Sequence, residues 1–238
     1  DVKEAMDVDE FWYYDHNGSV KLVPHKYQFY LQGNNFLKFY PTDSDTFVFI
    51  RKEQNLIEET NEQKIKDFVM RDLMTRDSIG FKPYDYMANA TKFFTRQYLS
   101  YLETADILIQ EDTKTECYLY YQNCAVKVTV EGVEQIDYLD LPGYVWRNQI
   151  IQRDFEPTDH HESEFRTFLW KISGQDEERY NSFKSVVGYL LHSYKTSSKN
   201  KAIILNDETI SENPNGGSGK GLLWNGLAKM KKVSMIDG

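Results

Sequence analysis

The stretch Glu212-Asn213-Pro214-Asn215-Gly216-Gly217-Ser218-Gly219-Lys220-Gly221 is the part of this sequence with a chemistry attached. Glycines, lacking a Cβ, let successive backbone N–H groups converge on an anion. A helix starting directly after such a loop adds unpaired donors and a partial positive charge of about half an electron. A lysine at the junction then reaches a terminal phosphate as a point charge. Lys220 stands at that junction and is the candidate catalytic residue; Gly216, Gly217, Ser218, Gly219 and Gly221 join it as candidate nucleotide-binding residues. Two positions depart from the usual G-x-x-x-x-G-K-[ST] pattern, Pro214 standing for its first glycine and Gly221 for its hydroxyl residue. The second departure removes the oxygen that ordinarily holds magnesium, so the metal is expected on other groups or on water. A glycine-rich surface loop without a ligand is the plain alternative.

Such a loop works only when held between a buried strand and a helix. Upstream, Ala202-Ile203-Ile204-Leu205 is an apolar run too short for a helix and without polar alternation, which fits a strand buried on both faces of a parallel sheet. Downstream, Leu222, Leu223, Leu227 and Met230 recur at helical spacing, with Lys229, Lys231 and Lys232 in the last turn where cations oppose the helix dipole. Val233-Ser234-Met235-Ile236-Asp237 follows too soon after Lys220 to be an acidic motif and reads as the next strand of the sheet.

Earlier in the chain, Phe11 to Tyr14 and Val20 to Val23 flank Asn17-Gly18, a pair that tolerates the positive φ of a tight primed hairpin turn. Lys26 to Leu31 reads as a short helix stopping near Gly33, and Phe36 to Tyr40 and Thr46 to Arg51 as strands. Ile65, Phe68, Val69 and Leu73 line one face of a helix over Asn61 to Met74, and a second helix is expected from about Tyr84 to Leu102. Three strands follow: Cys117 to Tyr121, Ala125 to Val130 and Gln135 to Leu139. Amphipathic helices are then expected over Glu164 to Ile172 and Glu177 to Ser193. The expected fold class is an α+β N-terminal domain over 1–157, a helical connector over 158–198, and the beginning of a P-loop α/β ATPase domain over 199–238.

Composition limits the function. The 238 residues include 40% apolar and 27% charged side chains, an ordinary globular balance, and no run approaches the roughly 20 apolar residues of a membrane helix. The net charge of −9 argues against wrapping DNA with the whole surface and leaves room for a local basic channel. Cys117 and Cys124 are too few for a disulfide framework or a complete zinc site and are expected reduced and buried, in a cytoplasmic protein. The acidic start, without an initiator Met, reads as part of a longer protein and not as a secretory signal.

With these residues in view, the chain resembles the superfamily 3 DNA helicases of phage and virus primase–helicases. The resemblance rests on Tyr189-Leu190-Leu191-His192-Ser193-Tyr194-Lys195, Lys201-Ala202-Ile203-Ile204-Leu205-Asn206-Asp207 and Asn215-Gly216-Gly217-Ser218-Gly219-Lys220-Gly221-Leu222-Leu223. Upstream, Tyr13-Tyr14-Asp15 with Gly18, and Val48-Phe49-Ile50-Arg51 with Ile65-Lys66-Asp67-Phe68-Val69, resemble more loosely the region preceding that ATPase core. The resemblance implies ATP and Mg2+ as cofactors, single-stranded DNA as partner, and a homo-oligomeric ring in the full-length protein. It implies an ATP-dependent DNA replication protein, with Lys220 as the phosphate-binding lysine and this piece inactive alone. The other class of reading is a DNA- or protein-binding accessory module whose loop no longer supports hydrolysis.

Weaker groupings have structural explanations. Asp159-His160-His161-Glu162 could suggest a metal, but neighbouring residues on a helix point about 100° apart, and a helix start with Thr158 or Asp159 as N-cap accounts for them. Asp7, Asp9, Glu10 and Asp15 are expected on a solvated terminus. Lys92, Phe93, Arg96, Gln97 and Tyr98, and Tyr144, Trp146 and Arg147, could stack on single strands, although core packing is their default role.

Overall fold

The computed structural model describes residues 10–42, 44–76, 79–157, 163–196, 200–206, 219–231 and 233. The fold is α+β, with two compact units: Asp1–Leu108 with Tyr144–Arg147, and Ile109–Gly143 with Asn148–Gly238.

In the first unit, β1 (Trp12–Tyr14) and β2 (Val20–Leu22) pair antiparallel, with Tyr14 opposite Val20. The turn is longer than the two-residue primed form expected from Asn17-Gly18. Gly18 alone has positive φ, at 72°, and its N–H donates to the Asp15 carbonyl at 2.9 Å. The Asp15 carboxylate accepts from the N–H groups of Asn17 and Ser19 at 3.0 and 2.9 Å, which stabilises the wider loop. Pro24 occupies the first turn of α1 (Pro24–Gly33), where its missing N–H costs nothing. The next strands are β3 (Phe36–Phe39), β4 (Val48–Glu53) and β5 (Leu56–Thr60), and Val145–Trp146 returns much later to pair parallel with β5. The sheet order is therefore β3, β4, β5 and the late strand, with β3, β4 and β5 antiparallel.

Helix α2 (Glu62–Thr75) starts where the Asn61 carboxamide accepts from the Lys64 N–H at 2.9 Å. Its buried residues, Ile65, Val69 and Leu73, are members of the expected stripe. The single helix expected over Tyr84 to Leu102 is instead broken into α3 (Lys82–Asn89), a 3₁₀ turn (Thr91–Phe94) and α4 (Arg96–Leu99). Ala90 leaves helical geometry with ψ of 54°, and the Thr95 hydroxyl caps a fresh start at Tyr98 N. Short polar side chains that bond the nearby backbone compete with helix continuation, and here they win. The core packs Phe11, Tyr27 and Tyr30 against Phe36, Ile65 and Val69, the Phe11 ring lying 4.5 Å from that of Tyr30.

The second unit opens with an antiparallel meander of β6 (Cys117–Tyr120), β7 (Ala125–Val128) and β8 (Val133–Ile136). Three helices follow: α5 (Glu164–Ile172), α6 (Glu177–Leu191) and α7 (Lys220–Ala228). The N-cap of α5 is Ser163, whose hydroxyl accepts from the Arg166 N–H at 3.1 Å, and not Thr158 or Asp159. Residues 158–162, with both histidines of the acidic-histidine grouping, lie outside the described residues. Leu169, Tyr180, Leu223 and Leu227 form the buried centre of these helices, ringed by Phe165, Phe168 and Trp170.

Ala202-Ile203-Ile204-Leu205 does not form the expected strand. Residues 201–206 take no regular structure, and Ile204 is 80% exposed. A strand exists only through a ladder partner, and no described segment pairs with this one. Leu205 instead packs against the helical cluster. Val233 likewise belongs to no strand, and residues 234–238 lie outside the described residues. Among the described residues no helix is long and apolar enough to cross a membrane.

Candidate phosphate-binding site

Of the loop residues, Gly216, Gly217 and Ser218 lie outside the described residues, while Gly219, Lys220 and Gly221 are placed. Gly219 is the N-cap of α7, in the left-handed region with φ 85° and ψ 0°. Lys220 is the first helical residue, half-buried, and the Leu223 N–H donates to the Gly219 carbonyl at 3.0 Å to open the helix. Among the described residues no side chain caps this helix start. The chain thus turns sharply at a glycine and presents a lysine on the next residue.

Glycine at 219 is required for two separate reasons. Its positive φ strains any L side chain, and an added Cβ would lie 3.1 Å from Ile172 Cγ2 and 3.2 Å from Phe168 Cε2. Phe168 also lines an open hollow of about 540 Å³ on α5 with Glu164, Thr167 and Lys171. Gly221, in contrast, is exposed, and a Cβ there would meet nothing within 4 Å. Leu223 and Leu227 face the core as expected, whereas Leu222 is 58% exposed and does not.

The residues fit an anion better than a metal. No group of three His, Cys, Asp or Glu side chains that could hold an ion occurs among the described residues, and Gly221 supplies no hydroxyl.

The far end of α7 is anchored by residues that the sequence pattern did not single out. Asp112, its side chain 4% exposed, accepts from the Tyr118 N–H at 2.8 Å and the Ser193 N–H at 2.6 Å. Lys231 lies 3.8 Å from the same carboxylate and donates to the Leu191 carbonyl, the last of α6, at 2.7 Å. His192 Nε2 sits 2.8 Å from the Thr113 carbonyl. One buried acid thus joins the start of β6, the segment just past α6 and Lys231, three residues past α7. Nothing in spacing betrays this, because the partners are up to 119 positions apart, 231 − 112.

Both cysteines are free, Cys124 buried and Cys117 half-buried with its Sγ donating to the Leu191 carbonyl at 3.8 Å. Burial, reinforced by Asp112, pushes the Cys117 thiol up to about 11. At pH 8 its thiolate fraction falls by about two orders of magnitude relative to an ordinary thiol, and higher intrinsic nucleophilicity recovers about one of them. Alkylation of Cys117 by iodoacetamide at pH 8 is therefore expected to run at least about tenfold slower than that of a peptide thiol, as followed by peptide mass spectrometry. Rates equal to the peptide's would remove the buried placement.

The aromatic members of the candidate stacking groups are taken up by packing, while Lys92, Arg96 and Gln97 are exposed. Phe93 is in the core, and Tyr98 packs on it with ring centroids 5.0 Å apart. Arg96 covers the Phe47 ring at 4.4 Å and donates to the Phe47 carbonyl at 2.6 Å. Trp146 packs on Phe39, and Arg147 pairs with Glu53 and Glu58. Lys92 lies 4.9 Å over the Phe93 ring, and Tyr144 lies under Lys52. Of the acidic set, Asp7 and Asp9 lie outside the described residues, Glu10 is exposed and Asp15 is used in the hairpin turn.

No protein-family model matches this chain, and no curated protein matches it.

Proposed function

We propose that this chain binds the phosphate tail of ATP through Gly216, Gly217, Ser218, Gly219, Lys220 and Gly221, as part of a cytoplasmic, ATP-dependent DNA replication protein of the primase–helicase type. In that role the parent protein acts on single-stranded DNA as a homo-oligomeric ring. The observation that carries the reading is the left-handed Gly219 capping α7 directly ahead of Lys220. This order puts first-turn N–H groups, the positive end of the helix and an ammonium on one side of a turn, the combination that phosphate recognition needs. ATP supplies the charge to be recognised. Lys220 holds the terminal phosphates, and the glycines keep side chains out of the way.

A second reading has its own support. Ala202-Ile203-Ile204-Leu205 has no ladder partner among the described residues, and Gly221 lacks the hydroxyl for magnesium. Both favour an accessory module that binds DNA or protein and does not hydrolyse nucleotide.

Titration of the chain with a fluorescent ATP analogue, with and without Mg2+, separates the two. Lys220→Ala removes a charge-assisted contact and is expected to weaken binding by roughly 10- to 100-fold. Equal affinity in both proteins, or none in either, overturns the first reading and leaves the accessory module.

A further inference from the structure

We infer that the second unit carries a separate phosphate site, a cleft where residues 148–153 face the end of α7, built to take one nucleotide of a single strand. The cleft encloses about 440 Å³, and its polar walls are Asn148, Gln149, Gln152, Arg153, Lys229 and Lys231. Three cations and three amides line it, with no carboxylate among its described lining residues. That is a marked local excess, because the whole chain has 37 acids against 28 bases. Random placement on so acidic a chain favours mixed signs, whereas a phosphate needs this arrangement.

The cations are not equivalent. Lys231 is tied to Asp112 and to the Leu191 carbonyl, so it forms a fixed wall. Arg153 is exposed, with its guanidinium 5.7 Å over the Tyr121 ring, which orients it while leaving N–H groups for an anion. Lys229, also exposed, stands at the helix end opposite. Between them Asn148 and Gln149 offer paired donors and acceptors of the kind that bond base edges, while the Gln152 amide is held by the Ile150 carbonyl and Gln122, and Ile150 and Ile151 give an apolar surface for a base face. A free phosphate would use only the cations; a nucleotide unit uses all three kinds of group. The site is distinct from Gly219-Lys220 and stands whether or not that loop binds ATP.

The test is fluorescence anisotropy of the full chain with a labelled single-stranded oligothymidylate, with inorganic phosphate as a second probe. Arg153→Glu/Lys229→Glu is compared with the charge-matched control Lys92→Glu/Lys184→Glu, at exposed positions that do not line the cleft, and circular dichroism checks that each folds. Wild type is expected to bind with a log affinity against log salt slope of about −0.7 to −1.4, as for the one or two phosphates flanking a single nucleotide. The double variant is expected to bind at least about tenfold more weakly, and the control as wild type. Isothermal titration calorimetry with millimolar inorganic phosphate reads the other source: heat of phosphate binding without any oligonucleotide binding overturns the single-strand assignment. Absence of binding by either probe, or equal loss in control and double variant, overturns the inference. ATP titration of the same chain reads the loop independently, so failure of either proposal remains distinguishable.

Discussion

Gly226→Ala is expected to destabilise the second unit's helical core by about 2 kcal/mol, even though alanine is the better helix former by about 1 kcal/mol. A Cβ at 226 would lie 2.3 Å from Phe165 Cε2, 3.0 Å from Cδ2 and 3.1 Å from Cζ. Carbon atoms at rest sit about 3.5–4.0 Å apart, so the ring itself must move. It has little room. Phe165 lies against Phe168, with centroids 6.0 Å apart, and Phe168 in turn packs where Gly219 has no Cβ. Displacement at 226 therefore reaches the turn that presents Lys220. Gly221→Ala on the same helix meets nothing and is expected to raise stability by about 0.5–1 kcal/mol. Urea midpoints of the two variants should move in opposite directions, and Phe165→Leu should recover part of the Gly226→Ala loss when the two are combined. A Gly226→Ala midpoint at or above wild type would refute the packing of α7 on α5.

Asp112→Ala is expected to cost about 3 kcal/mol or more. Its carboxylate satisfies two backbone N–H groups, Tyr118 and Ser193, and faces the Lys231 ammonium. Alanine leaves both N–H donors without their acceptor and Lys231 without its counter-charge, in a region where the acid's side chain is 4% exposed. Asp112→Asn keeps one oxygen and turns the other position into a donor, so its loss should be intermediate. A second readout follows from Cys117: removing the neighbouring carboxylate lowers the thiol from its raised value, and alkylation at pH 8 should speed up. Unchanged urea stability together with unchanged alkylation would show that this junction does not hold the unit together.

Local signals were legible where neighbouring residues settle the matter between themselves. The α2 stripe of Ile65, Val69 and Leu73 is one example, and the Asn61 cap is another. Strand β5 escaped notice because its turn contains no glycine; Gln54 takes φ 53° there instead. Its exposed Glu58 and Glu59 also hid a strand whose only fully buried side chain is Ile57. The expected helix over Tyr84 to Leu102 failed for the opposite reason, since its apolar spacing was sound and hydrogen bonds at Ala90 and Thr95 broke it. Glycine content marked the candidate site, but it did not distinguish Gly219 and Gly226, which have no room for a side chain, from Gly221, which has.

By itself the sequence determined the order of most helices and strands, the Gly-Lys junction opening α7, and the balance of charge. These depend on residues within a turn or two of one another, so short-range sterics and hydrogen bonding suffice. Tertiary structure alone decided that Ala202-Ile203-Ile204-Leu205 finds no ladder partner among the described residues, that Asp112 meets Lys231, and that Arg153 and Lys229 share a cleft. Each of those depends on a partner far along the chain. Which partner arrives is set by how the cores close, and no window of consecutive residues contains that information.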